Sequence, residues 1–116
     1  MLNMSAITTH ILDISSGFPA QGVSITLERQ TADGWQIIGK GETDDDGRLK
    51  NLLDSDVILQ MGNYRLTFDT ENYFARQQIE SFYPQITVAF SVRDAVSHYH
   101  VPLLLSPFGY STYRGS

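Results

Sequence analysis

Apolar and polar positions alternate through most of this chain, and the alternation predicts strands. Val23, Ile25 and Leu27 interleave with Ser24, Thr26 and Glu28, as Tyr64, Leu66 and Phe68 do with Arg65, Thr67 and Asp69. A period of two is the mark of a strand buried on one face. Ile7 to Ile14 is rich in β-formers and ends at the turn cluster Ser15-Ser16-Gly17-Phe18-Pro19. Ala32-Asp33-Gly34 predicts a hairpin turn into Trp35–Gly41, paired with the strand before it. Asp44-Asp45-Asp46-Gly47 is a second turn, leading into a short strand around Arg48–Leu53. Ile86, Val88 and Phe90, then His98–Leu105, then Tyr110–Tyr113 bring the total to about eight strands, at the turn spacing of an antiparallel sandwich. One segment differs: Asp69 is placed to cap a helix of about two turns over Thr70–Gln78.

The same alternation sorts side chains by face. On His98–Leu105, Tyr99, Val101, Leu103 and Leu105 point one way into a core, while His98, His100, Pro102 and Leu104 point the other. Proline confines that strand to an edge, or to a ladder that is interrupted. Ile7, Thr9 and Ile11 face the core, which puts His10 and Leu12 outward. All three histidines therefore sit on outward faces beside leucine or proline, the composition of an oligomer interface or a lined pocket. Three such imidazoles also form a permissible metal triad, or an ordinary solvated face. Asp13, close to His10, is either an orienting partner for the imidazole or a strand-end turn residue.

Composition narrows the chemistry. The 116 residues hold no cysteine, which excludes disulfides, a thiol nucleophile and cysteine-ligated metal. A net charge of −5 with no basic block argues against nucleic acid as a partner. The longest purely apolar run is three residues, as in Leu103-Leu104-Leu105, too short to span a membrane. Met1–Ala6 has neither a positive n-region nor an apolar h-region, so the expected location is cytoplasmic. The acidic turn does not make a calcium loop. With Gly47 at the sixth position, the twelfth is Leu53, which has no carboxylate. Phosphate-loop, His-Glu-x-x-His and Gly-x-Ser-x-Gly motifs do not occur.

The end of the chain is unusual, because terminal residues are ordinarily simple and polar. Here Leu105-Ser106-Pro107-Phe108-Gly109-Tyr110-Ser111-Thr112-Tyr113-Arg114-Gly115-Ser116 is aromatic and patterned throughout. It resembles the signature of the transthyretin-related 5-hydroxyisourate hydrolases. The likeness extends to Thr9-His10-Ile11-Leu12-Asp13, Gly17-Phe18-Pro19-Ala20, Thr43–Gly47 with Arg48, and His98-Tyr99-His100-Val101-Pro102-Leu103-Leu104. The resemblance implies an all-β fold, a transthyretin-like sandwich of two four-stranded antiparallel sheets with one short α-helix after the fifth strand, in one domain over residues 1–116. It also implies a homotetramer, a dimer of dimers, with active sites between dimers. Family catalytic positions fall on His10, Arg48 and His100, and the substrate-binding tetrapeptide on Tyr113, Arg114, Gly115 and Ser116. In the hormone-carrying relative, lysine, glutamate and threonine occupy the first three. His98 lies outside the catalytic set and takes a supporting or interfacial role.

The implied reaction is opening of the six-membered ring of 5-hydroxyisourate by water, a step in urate breakdown. His10 and His100 would position and deprotonate the water. Arg48 and Arg114 would hold the carbonyl oxygens, with Tyr113 and Ser116 completing the wall. Such chemistry requires no cofactor and no metal. Two readings stand beside it: a carrier of the transthyretin type, and a metal hydrolase ligated by His10, His98 and His100.

Overall fold

The computed structural model describes residues 5–54 and 56–116. Met1–Met4, part of the segment read for a leader, lie outside them. In chain order the elements are β1 (Ile7–Asp13), β2 (Phe18–Pro19), β3 (Ser24–Thr31), β4 (Gly34–Glu42), β5 (Arg48–Leu49), β6 (Gly62–Phe68), α1 (Thr70–Ala75), β7 (Ile86–Val92), β8 (Tyr99–Ser106) and β9 (Gly109–Thr112). One sheet runs β4-β3-β6-β7; the other runs β2-β1-β8-β9, with β5 pairing β1 as well. The inward halves of the alternating strands meet between the sheets. Ile7, Ile11, Val23, Ile25, Leu27, Leu66, Phe68, Leu103 and Leu105 are all essentially closed to solvent there.

The sandwich of the sequence reading stands, with differences in detail. The second sheet has five strands, because Phe18 and Pro19 within the expected turn cluster pair with Asp13 and Leu12 as β2. β5 is two residues long rather than running to Leu53. Leu52 and Leu53 leave the sheet to bury their side chains, and the Leu52 carbonyl crosses against Gly39 where no side chain has room. One pairing is parallel: β1 with β8, from Ile7↔Tyr99 to Asp13↔Leu105. The remaining ladders are antiparallel.

Asp69 caps α1 as expected, accepting from the Asn72 backbone N–H at 3.4 Å and its side-chain amide at 2.7 Å. The helix closes after six residues rather than nine. Gln78 turns left-handed at φ 60°, and the Ile79 N–H returns to the Phe74 carbonyl at 3.0 Å. Tyr73 fastens α1 to β1 by donating to Asp13 Oδ2 at 2.8 Å.

Candidate active site on the outward face of the β1–β8 sheet

Register decides which side chains share the outward face. Thr8 lies opposite His100, and His10 lies opposite Pro102 on one side and Arg48 on the other. Directly paired residues project to the same side of a sheet. Two adjacent rows therefore carry Thr8 with His100, and Arg48 with His10 and Pro102. β5 is short, yet its two pairs suffice to set Arg48 beside His10. The turn before it is tied by Asp44, whose Oδ1 accepts from the Asp46 and Arg48 N–H groups at 2.9 and 3.0 Å.

Pro102 explains the gap in the next ladder. β9 pairs with β8 only from Leu103↔Thr112 onward, so the residue lacking an N–H falls just past its end. Pairing resumes at His100, whose carbonyl accepts from the Gly115 N–H at 2.8 Å. Position 115 has to be glycine for that approach. A Cβ there would lie 2.6 Å from His100 Cδ2 and 3.1 Å from Pro102 Cγ.

Thr8, Arg48, Lys50, His98, His100 and Ser116 line a small open pocket of about 170 Å³ on this face. His98 and His100 present nearly parallel rings, centroids 6.5 Å apart and planes 18° apart. The loop before His98 is braced: Asp94 bonds Ser97, Val96 and the Tyr99 hydroxyl. Thr8 Oγ1 lies 2.8 Å from His100 Nδ1 and 3.1 Å from His98 Nε2.

Electrostatics disfavour the charged form of the two inner imidazoles. Burial, then the Arg48 guanidinium, then His98 and His10, hold His100 below the ordinary histidine value. His10 is lowered by burial and Arg48, partly offset by the Asp46 backbone and the Asp44 and Asp46 carboxylates. A neutral imidazole can take a proton at neutral pH.

The expected site residues are thus partly assembled. His10, Arg48, His100, Gly115 and Ser116 gather on one face. Tyr113 and Arg114 turn instead to a neighbouring, largely apolar pocket of about 220 Å³. His100 borders that pocket too, and the Arg114 guanidinium rests 4.5 Å above the Tyr99 ring. Asp13 does not orient an imidazole. Its carboxylate is buried on the core side, where it accepts from Tyr73, Ser15 and Ser16. The three histidines do not make a metal cluster. Among the described residues, only Asp44, Asp45 and Asp46 bring three ligand atoms within 4.8 Å of one another, and all are exposed. Thr8 and Lys50 escaped the sequence reading. Strand parity alone would have put Thr8 on the face of His10.

The HIUase/Transthyretin family profile matches residues 7–115. The chain belongs to this family. A probable 5-hydroxyisourate hydrolase of Caenorhabditis elegans is 51% identical over 112 residues, covering 97% of this chain and 82% of that one. The structure of Klebsiella pneumoniae 5-hydroxyisourate hydrolase superposes with a TM-score of 0.85 at 38% identity, covering 97% of this chain and all of that one. Sea bream transthyretin, solved in complex with thyroxine, gives 0.87 at 36%, covering 95% and 94%. The solved structures that this chain resembles thus include both an enzyme and a thyroxine-bound protein of the same fold, so overall shape does not choose between them.

Proposed function

We propose that this protein hydrolyses 5-hydroxyisourate to 2-oxo-4-hydroxy-4-carboxy-5-ureidoimidazoline, in urate (purine) catabolism. The observation that carries the reading is the placing of two imidazoles, His10 and His100, with the Arg48 guanidinium on one outward strand face, where burial and Arg48 lower both below the ordinary histidine value. Hydrolase relatives at up to 51% identity support it.

In this reading a water is held between the imidazoles and gives a proton to one of them as its oxygen attacks the ring carbonyl. Arg48 presents forked donors to the oxygen on which charge builds. A positioned base contributes ~10²–10⁴-fold, roughly 3–5 kcal/mol of barrier. Ser116 walls the pocket, while Arg114 and Tyr113 reach the substrate from the flank that His100 shares. No metal or cofactor takes part. A carrier of the transthyretin type finds less support, because an apolar ligand on this face would desolvate Arg48 and both histidines.

We further propose a homotetramer, a dimer of dimers. β7 and β9 are sheet edges, with Phe82, Phe108, Tyr110 and Tyr113 exposed around them. Leu12 and Leu104 add apolar surface beside the imidazoles.

The test follows the ultraviolet absorbance of freshly generated 5-hydroxyisourate. The protein accelerates its decay in proportion to protein concentration, and His100→Asn removes most of the acceleration. Decay at the spontaneous rate would defeat the reading.

A further inference from the structure

Thr8 stands between two imidazoles with one hydrogen to give. Its hydroxyl lies 2.8 Å from His100 Nδ1 and 3.1 Å from His98 Nε2. A hydroxyl donates one bond and accepts others, so it cannot donate to both nitrogens. Two arrangements satisfy all three groups. In one, Thr8 donates to His98 Nε2 and accepts from His100 Nδ1–H, leaving His100 Nε2 with its lone pair. In the other, His98 Nε2–H donates to Thr8, whose hydrogen turns to His100 Nδ1 and places the His100 proton on Nε2.

We infer that His98, acting through the Thr8 hydroxyl, fixes the ring tautomer of His100 and so keeps its Nε2 available as the base. This rests on the hydrolase reading, since Thr8 occupies Nδ1 and only Nε2 is left to meet a water. Thr8 is buried beneath the pair while His98 is exposed. The chain thus runs from a solvent-facing ring to the half-buried one. The charged or titratable groups around the pair are Arg48 and Lys50 in the pocket, His10 on β1, and Tyr113 and Arg114 in the neighbouring pocket that His100 borders. Asp44 and Asp46 act on His10 from the turn before β5. Thr8 and His98 are positioning residues, since neither needs to touch substrate.

The experiment uses full-length protein labelled with ¹⁵N-histidine, at a pH where all three rings are neutral. In the wild type, His100 shows a protonated Nδ1 and a bare Nε2. In Thr8→Val, which keeps the shape and loses the hydroxyl, that tautomer is lost; kcat falls by about tenfold with KM unchanged, short of the ~10²–10⁴-fold expected for the base itself. Thr8→Ser restores both. His98→Ala, at an exposed position that folding tolerates, repeats the Thr8→Val pattern. A wild-type His100 protonated at Nε2 would overturn the inference. So would a Thr8→Val protein with the wild-type tautomer, whatever its rate. Absence of hydrolysis by the wild type would instead strike the function reading, while the tautomer readout stays measurable.

Discussion

His100 depends on its neighbours for its proton affinity. Burial and the Arg48 guanidinium both disfavour its charged form, so it loses its proton below the ordinary value of 6.5. The sign for activity follows. With His100 as the base proposed above, which works unprotonated, kcat/KM should climb with pH and level off, its midpoint below 6.5 rather than above it. Arg48→Gln removes one of the two leading causes. It should move that midpoint upward and cut kcat/KM by about 10²–10³-fold through loss of the oxyanion donor. A pH–rate profile of both proteins checks this; an unmoved midpoint would separate Arg48 from His100. That His10 and His100 share one outward face was legible from strand parity, while Arg48 entered as a candidate only through the resemblance. Thr8 was not legible, because threonine in a strand is an ordinary β-former, and its role rests on a partner 92 residues away. Nor does parity say that Arg114 lies over Tyr99, since that depends on where the chain turns after β9.

At the scale of elements, alternation, β-formers and turn clusters together placed every long strand; β5 was expected from its turn but drawn too long, and β2 was missed. β2 and β5 show too few positions for a period, and they exist because β1 offers a partner. The helix was misjudged only at its end, where a left-handed Gln78 closes it. The joint between elements turns on Asp13. One carboxylate caps the turn after β1 and receives the Tyr73 hydroxyl from α1. Burial first, and that bond second, push the Tyr73 phenol up to about 12. Asp13→Ala leaves a buried hydroxyl without its acceptor and frees the turn, for a loss of roughly 2–4 kcal/mol. Tyr73→Phe removes one bond without stranding a donor, and should cost less, about 1–2 kcal/mol. Urea unfolding at fixed protein concentration measures both. Equal losses would mean that the bond to α1 carries all of Asp13's contribution and the turn none.

The whole molecule leaves its reactive groups on a surface. A pocket of about 170 Å³, open and lined by side chains of the sheet's outer face, gives a substrate one wall. The strand pattern sets which face is outward, and a cover for that face has to come from outside the sheet. In the proposed tetramer a second copy would supply the missing wall, because a two-fold interface brings the same face against itself. Leu104 is half-buried on that face beside Pro102, and in that assembly it would meet its own symmetry mate or a near neighbour across the cleft. Sedimentation should give the mass of four 13.0-kDa chains for the wild type. Leu104→Glu sets like charges together in an apolar seam, a juxtaposition that costs several kcal/mol. It should stop assembly at the dimer while each chain keeps its fold by circular dichroism. Hydrolysis should fall with it by at least about tenfold, because a group misplaced by ~1 Å already costs ~10²-fold. A wild-type monomer hydrolysing at full rate would show instead that the exposed face of one chain is sufficient.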